Sequence, residues 1–263
     1  MKLSVIIPAA GASTRFASGD KLSADLGGRP LLLRTVEIFS RRPEVDQIIV
    51  AGPPDDMEAF KDRFGAGLGF HGVALVPGGR EDRWETVRNA LEAVEESSTH
   101  VAVHDAARPL VSDDMLDRIF MASQHLDAVV PVVPVSSTLK QIDPTATIDA
   151  GEGGDHLVDS ILGDAGRLEV PATEIRGTVD RSMYAMAQTP QVFSRELIVR
   201  AYAGQDLRGV TDDAQAVEML GVAPHAVQGD PANIKITTTD DLRLALSLIK
   251  SAPPAKPKDP LLG

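Results

Sequence analysis

The chain has 263 residues, 43% of them hydrophobic, no cysteine and a formal net charge of -12. That length suits one large α/β domain or two small ones, and the apolar fraction excludes a chain disordered over most of its length. The lack of thiols excludes disulfides, thiolate zinc sites and cysteine nucleophiles, and the acidic balance argues against a nucleic-acid or membrane surface as partner while leaving a small anionic substrate open.

The opening run Leu3-Ser4-Val5-Ile6-Ile7-Pro8 is apolar and β-branched, which predicts a buried strand. It is too short for the apolar region of a secretory signal, and no run approaches a membrane span, so we read a cytoplasmic protein. The strand stops at Ala9-Ala10-Gly11-Ala12-Ser13-Thr14-Arg15. Small residues there let main-chain N–H groups approach phosphate oxygens, and Arg15 and Lys21 add positive charge. The stretch is neither a G-x-G-x-x-G fingerprint nor a Walker A loop, since Gly11 is its one glycine and no G-K-[ST] follows. Taken alone, an ordinary strand-to-helix turn with a surface Arg and Lys explains it equally well.

Pro30 falls in the first turn of a helix whose positions Leu32, Val36 and Phe39 recur at helical spacing and which ends near Arg41-Arg42-Pro43. Val45 to Ala51 reads as a second strand. Pro53-Pro54-Asp55-Asp56 starts another helix, and Gly65 to Gly72 reads as a loop leading to a short strand, Val73 to Val76. Strands alternating with helices predict right-handed crossovers and a mostly parallel sheet, with ligands at the carboxyl ends of the strands. Pro77-Gly78-Gly79-Arg80 then opens a helix with Trp84, Val87, Leu91 and Val94 on one face. Gly78, Gly79 and Thr86 are candidates to line the pocket begun by Ala9 to Arg15, against the plainer reading of a solvated helix start.

A fourth strand, His100 to Val103, runs into His104-Asp105-Ala106-Ala107-Arg108-Pro109. An Asp ending a buried parallel strand aims its carboxylate into the cleft, which suits Mg²⁺ shared with substrate phosphates. Ala106 and Ala107 leave room, and Arg108 can fork onto a phosphate. His104 reads as a structural hydrogen bonder rather than a base. Ser112 caps a helix with Asp113 and Asp114 in its first turn and Leu116, Ile119 and Phe120 as its buried stripe.

Ala128 to Pro134 is a fifth strand. From Asp143 to Arg176 the composition turns to Gly, Asp and Thr without helical periodicity, which we read as an excursion from the sheet rather than a second domain. Tyr184 to Phe193 brings the chain back. Helices over Arg195 to Ala203 and Asp212 to Leu220, a last strand around Asn233 to Ile236, and a helix carrying Leu242, Ala245, Leu246 and Ile249 complete the reading. The tail from Ser251 to Gly263, with four prolines, reads as a disordered end.

Four pieces stand out together: Ala9-Ala10-Gly11 with Arg15 and Lys21; the run His104 to Pro109; Thr178-Val179-Asp180-Arg181 with Thr189-Pro190-Gln191; and Asn233-Ile234-Lys235. In these pieces and their order, over nearly the whole chain, the sequence resembles the 2-C-methyl-D-erythritol 4-phosphate cytidylyltransferases, nucleotidyltransferases of the isoprenoid methylerythritol phosphate pathway. The resemblance implies a single Rossmann-like α/β domain, its mostly parallel twisted sheet flanked by helices, spanning 1–250 with a protruding dimerisation arm at 134–181. It implies transfer of a cytidylyl group from CTP to 2-C-methyl-D-erythritol 4-phosphate by in-line attack on the α-phosphate, with Mg²⁺, in a cytoplasmic homodimer. Carried over by position, Ala9, Ala10, Gly11, Gly79 and Thr86 hold CTP and Arg15 and Lys21 meet its triphosphate. Asp105 holds the nucleotide and the metal, and Lys235 sits beside the α-phosphate. Arg108, Thr138, Arg181, Thr189 and Thr211 bind the acceptor, with Thr138 and Arg181 acting across the dimer.

The chemistry agrees with such a site, because a phosphate oxygen already ionised near neutral pH needs no general base, and catalysis reduces to positioning and charge stabilisation. Two positions depart from the family pattern. Ser13 stands where a second glycine is usual, and Asp20-Lys21-Leu22 replaces Pro-Lys-Gln, placing an unhelpful charge beside an anion. The arm is longer than the pattern, and Gly151-Glu152-Gly153-Gly154-Asp155 has no physical account. Two alternatives stay open: a related enzyme loading another polyol phosphate such as ribitol 5-phosphate, and a non-catalytic nucleotide-binding protein.

Overall fold

A computed structural model describes residues 1–11, 16, 20–149, 171–204 and 206–251. Ser13, Arg15, the segment Gly151 to Asp155 and the tail beyond Ser251 lie outside the described residues. By its contacts the chain divides into two units, Met1–Val133 with Ala187–Gly263, and Pro134–Met186.

The first unit is built around β1 (Leu3–Pro8), whose first five residues are buried. Its alternation sends Leu3, Val5 and Ile7 into one apolar cluster and Ile6 into another, so the strand carries core on both faces. Strands β2 (Val45–Gly52) and β4 (His100–Val103) flank it in parallel, and β3 (Ala74–Pro77) adds to β2, also in parallel. Beyond β4, β9 (Gln191–Ser194) runs antiparallel between β4 and β5 (Ala128–Pro134), and β10 (His225–Gln228) closes that side parallel to β5. The order is β10-β5-β9-β4-β1-β2-β3, a mostly parallel α/β sheet of the class the sequence predicts.

On the face of Leu3, Val5 and Ile7 pack α1 (Leu31–Ser40), α2 (Met57–Phe70) and α4 (Asp113–Ser123), with Ala245 of α7 (Thr239–Ser251). On the face of Ile6 pack α3 (Arg83–Leu91), α5 (Arg195–Tyr202) and α6 (Asp213–Glu218). Helices on both faces leave the carboxyl ends of β1, β3 and β4 at one edge, where their loops can meet. Among the described residues no helix is long and apolar enough to cross a membrane.

Three local expectations fail. Gly65 to Gly69 do not form a loop, because α2 continues through them to Phe70. Phe60, Phe64 and Leu68, four residues apart, bury on the sheet, which outweighs a glycine cost of about 1 kcal/mol each. A Cβ at Gly67 would stand 2.6 Å from Leu33 Cδ1 of α1, so a larger residue there would make that side chain shift. The segment Asn233 to Ile236 is not a strand. Its backbone is spent on Ile236 N donating to Ala107 O (2.8 Å) and on carbonyl bonds from Asn233, so the sheet gains β10 instead. Ser112 does occupy the N-cap of α4, but its hydroxyl donates to Asp230 Oδ2 at 2.9 Å rather than capping the helix.

The second unit is an antiparallel pair, β6 (Lys140–Asp149) with β7 (Pro171–Thr178), running from Lys140 opposite Thr178 to Asp149 opposite Pro171 with register shifts after Gln141 and after Ile142. An ion pair joins Arg176 to Asp143 and Lys140 Nζ donates to Thr178 Oγ1 at 2.6 Å. The turn Arg181–Met183 and the short strand β8 (Ala185–Ala187) lead the chain back.

Candidate active site

The loops that leave β1, β3 and β4 enclose a cavity of about 290 Å³. The first is Ala9-Ala10-Gly11, which continues the ladder for one step as Ala9 N donates to Ala51 O at 2.8 Å. The second is Gly78-Gly79. A Cβ on Gly78 would lie 2.7 Å from Ala10 Cβ and 2.9 Å from Thr86 Cγ2, so glycine is what lets these two loops close on each other. Gly79 N donates to Thr86 Oγ1 at 3.0 Å, fixing the loop to α3, whose N-terminus carries a capping box of Asp82 and Glu85. The loop's own amides are spent within it, Gly78 N on Gly52 O, Gly79 N on Thr86 Oγ1 and Glu81 N on Glu85 Oε2, so what it brings to the cavity is its close approach to Ala10 and the start of α3.

Asp105 forms the floor, its side chain 11% exposed. Lys235 Nζ lies 3.0 Å and Arg108 Nε 3.2 Å from its Oδ2, and Arg83 Nε stands 3.7 Å from Oδ1, too far for a hydrogen bond. Burial would raise its pKa, but Lys235, Arg83 and Arg108 together hold it well below the usual carboxylate range.

His104 stands behind it, fully buried and edge-on to Phe39. Nε2 is 3.0 Å from Arg108 O, an acceptor, so this nitrogen carries the proton. Nδ1 must then accept, and Thr189 Oγ1 donates to it at 3.1 Å while accepting from Asp105 N at 3.0 Å. Burial pushes His104 down to about 4 and keeps it neutral. It holds the loop and is no base, as its sequence context suggests.

Lys235 is positioned by its neighbours. Asn233 Nδ2 donates to Thr189 O at 2.9 Å, Arg108 Nη1 donates to Asn233 O at 2.8 Å, and Ile236 N ties to Ala107 O. Lys21 enters the cavity from a short turn, Lys21–Ser23, whose Leu22 is buried in the core. Asp20 caps this turn, accepting from Leu22 N (3.0 Å) and Ser23 Oγ (2.6 Å) and pairing with Arg63. Burial would raise Asp20, but those bonds, Ser23 and Arg63 first, bring it below its ordinary value.

The structure therefore gathers Ala9, Ala10, Gly11, Lys21, Gly79, Thr86, Asp105 and Lys235 around one cavity. Arg108 and Thr189 sit behind its wall, engaged with Asp105, Asn233 and His104 rather than facing a ligand. Thr211 is exposed at the start of α6, donating from N and Oγ1 to Gln215 Oε1 at 2.8 and 3.1 Å. Thr138 and Arg181 belong to the second unit, where both are exposed and Arg181 donates to Ser136 O. Arg15 lies outside the described residues. Arg83 is the lining cation that sequence reasoning passed over as a solvated helix start. Its partner Asp213 is 130 residues away, and no local pattern links them.

A sequence profile of the IspD family, 2-C-methyl-D-erythritol 4-phosphate cytidylyltransferase, matches residues 3–160 and 164–251. Proteins of that name from Symbiobacterium thermophilum and Frankia casuarinae are 38% and 36% identical to this chain. The matches cover 94% and 97% of this chain and 93% and 84% of those proteins. The crystal structure of 2-C-methyl-D-erythritol 4-phosphate cytidylyltransferase from Thermus thermophilus aligns with a TM-score of 0.70 at 31% identity, over 95% of this chain and 100% of that one. A 4-diphosphocytidyl-2C-methyl-D-erythritol synthase aligns at 0.71 and 30% identity, over 94% and 98%.

Proposed function

The chain belongs to the 2-C-methyl-D-erythritol 4-phosphate cytidylyltransferase family, and from that premise we propose that it transfers the cytidylyl group of CTP to 2-C-methyl-D-erythritol 4-phosphate. One observation carries this beyond the likeness: the glycine-lined cavity has Lys21, Arg80, Arg83 and Lys235 among its lining residues beside Glu81 and Asp82, and two of those cations, Lys235 and Arg83, face the ionised floor carboxylate, Asp105. Such a site receives polyphosphate.

In the reaction, an oxygen of the acceptor phosphate attacks the α-phosphorus in line. The new P–O bond forms as the bond to the β-phosphate oxygen breaks, and pyrophosphate leaves with that electron pair. No proton is removed, which agrees with a neutral His104 held out of the cavity. The Gly11 and Gly79 loops, with Thr86, hold the nucleotide; Lys21, with Arg15, meets the triphosphate; Lys235 turns from Asp105 to the α-phosphate. Arg108 and Thr189 act through Asp105 by fixing its loop.

Mg²⁺ fits this donor set as a hard cation shared between one carboxylate and substrate phosphates, and Asp105 would hold it. Among the described residues no three His, Asp or Glu gather into a protein-only cage, so the phosphates must complete the shell. When bound, the ion supplies charge neutralisation to the transferring phosphate. We further assign the acceptor to Thr211 and, in a homodimer, to Thr138 and Arg181 of the arm. The exposure of those three side chains supports this assignment. The absence of cysteine supports a cytoplasmic location.

Purified protein with CTP and Mg²⁺ should release pyrophosphate on addition of 2-C-methyl-D-erythritol 4-phosphate. Release with ribitol 5-phosphate alone would overturn the acceptor, and CTP binding without release from any polyol phosphate would overturn the reaction.

A further inference from the structure

Among the cations at Asp105, Arg83 is the one the reaction above leaves without a task. It begins α3, lines the cavity with its side chain 28% exposed, and stands between two carboxylates. Nη2 donates to Asp213 Oδ2 at 2.7 Å, and Nε faces Asp105 Oδ1 at 3.7 Å. Asp213 is fully buried, and its second oxygen accepts from Tyr202 Oη at 2.6 Å. The start of α6 that carries Asp213 is in turn bolted to β9, since Gln191 Oε1 accepts from Ala214 N (2.9 Å) and its Nε2 donates to Asp212 Oδ2 (2.8 Å).

A carboxylate as buried as Asp213 persists only when its charge is matched, and Arg83 matches it. A counter-ion alone, however, has no need to reach the cavity wall with its Nε turned to a second carboxylate. The division of contacts on Asp105 shows what that reach does. Lys235 and Arg108 both hold Oδ2, whereas Arg83 faces Oδ1. Once Lys235, 43% exposed, leaves for a phosphate, the side chain is left on one hydrogen bond about which it can pivot. A planar guanidinium pinned from behind stops that pivot, because its geometry is fixed before the ligand arrives.

We propose that Arg83 is a positioning residue: anchored by Asp213 and Tyr202, it sets the orientation of the Asp105 carboxylate and keeps it when Lys235 turns away. The inference rests on the reading of Asp105 as the carboxylate that receives the nucleotide.

Arg83→Met alone strands a buried charge and lowers Tm, so the decisive protein is the double variant Arg83→Met with Asp213→Asn. It removes both charges, keeps the apolar stem at position 83 and the shape of the side chain at 213, and leaves Tyr202 an amide oxygen to donate to. The double variant should recover most of the Tm, yet keep kcat down by about 10–100-fold, the range seen when the supporting partner of a ligating group is lost. Its calorimetric affinity for CTP should weaken in the same range, with KM for the acceptor near wild type. Recovery of kcat and CTP affinity together with Tm would make Arg83 merely the counter-ion of Asp213 and overturn the proposal. If the double variant does not fold, Arg83→Lys decides, since it keeps the charge and loses the fork: a severalfold loss of kcat at wild-type Tm supports the proposal, and unchanged kcat overturns it. Should wild type bind CTP but turn nothing over, the reaction reading fails, and the CTP titration of the double variant still decides the role of Arg83.

Discussion

Lys235→Met separates a catalytic cation from a structural one, and the site geometry sets both halves of the expectation. The Lys235 ammonium lies 3.0 Å from Asp105 Oδ2 with its side chain 43% exposed, so water screens the lysine end of the pair although Asp105 is only 11% exposed. A fully exposed pair contributes about 0–1 kcal/mol to stability, and this one stays modest because other cations remain on Asp105. Asp105 also keeps Arg108 and Arg83 when Lys235 is lost, so no buried charge is left unmatched and the fold should survive. On the assignment proposed above, the same ammonium faces charge that develops on the α-phosphate in the transition state, inside a cavity walled by Ala9, Ala10 and Ala107. Removing a preorganised donor in such a place lowers the rate by about 10²–10³, or about 2.7–4 kcal/mol. We expect kcat for pyrophosphate release from CTP and 2-C-methyl-D-erythritol 4-phosphate to fall by that factor, while Tm by scanning calorimetry moves by no more than a few degrees. The methionine keeps the apolar stem, so packing is not the variable. A kcat within about threefold of wild type, well below the expected loss, would refute the reasoning. So would a Tm loss large enough to account for inactivity.

Thr189→Val removes the hydroxyl that accepts from Asp105 N and donates to His104, leaving buried polar groups unmatched; it should cost about 1–3 kcal/mol in urea unfolding, and Thr189→Ser should restore it. Gly78→Ala forces a methyl against Ala10 and Thr86, and should destabilise by about 1–3 kcal/mol and weaken CTP binding by calorimetry; a wild-type CTP affinity would mean that the two loops need not close. His104, held near 4, lies below its ordinary value of about 6.5, so as pH falls the unfolded chain takes the proton first. Its contribution is complete above about pH 6.5 and is lost between there and about pH 4, so the stability difference between wild type and His104→Gln should shrink by about 3 kcal/mol over that window; a constant difference refutes it.

What the sequence discloses about the fold and the site depends on how far apart the cooperating residues lie. The run His104 to Arg108 is legible because strand end, carboxylate, small residues and cation are contiguous, and so is the pairing of Gly78 and Gly79 with a helix start. The glycines of α2 mislead because propensity is local, whereas the packing of Phe60, Phe64, Leu68 and Leu33 that overrides it is not. Asn233 to Ile236 looks like a strand by composition, yet the polar atoms of Asn233 are drawn to Thr189 and Arg108, each in a different stretch of chain. Arg83 is illegible for the same reason, since nothing near it announces a buried partner at Asp213. Thr189 is recognisable as a site residue, but the sequence does not reveal that its hydroxyl faces inward to the loop.

Asp20 carries this lesson into the part of the site where the chain departs from the family pattern. As a letter in the sequence it is a negative charge next to Lys21, the lysine we assign to the triphosphate. In the fold its carboxylate accepts from Leu22 N and Ser23 Oγ and pairs with Arg63, so its lone pairs are occupied away from the cavity that Lys21 lines. The usual proline would set this backbone by its ring, with φ fixed covalently. Here a side-chain cap does so by hydrogen bonds, and Leu22 buried in the core locks the turn from the other side. The two solutions differ in what they require of the rest of the protein. A proline stiffens its turn wherever it stands, whereas the charge of the Asp20 cap is offset by Arg63 of α2. The acidic residue beside Lys21, unfavourable when read locally, is therefore part of the turn that brings Lys21 to the cavity.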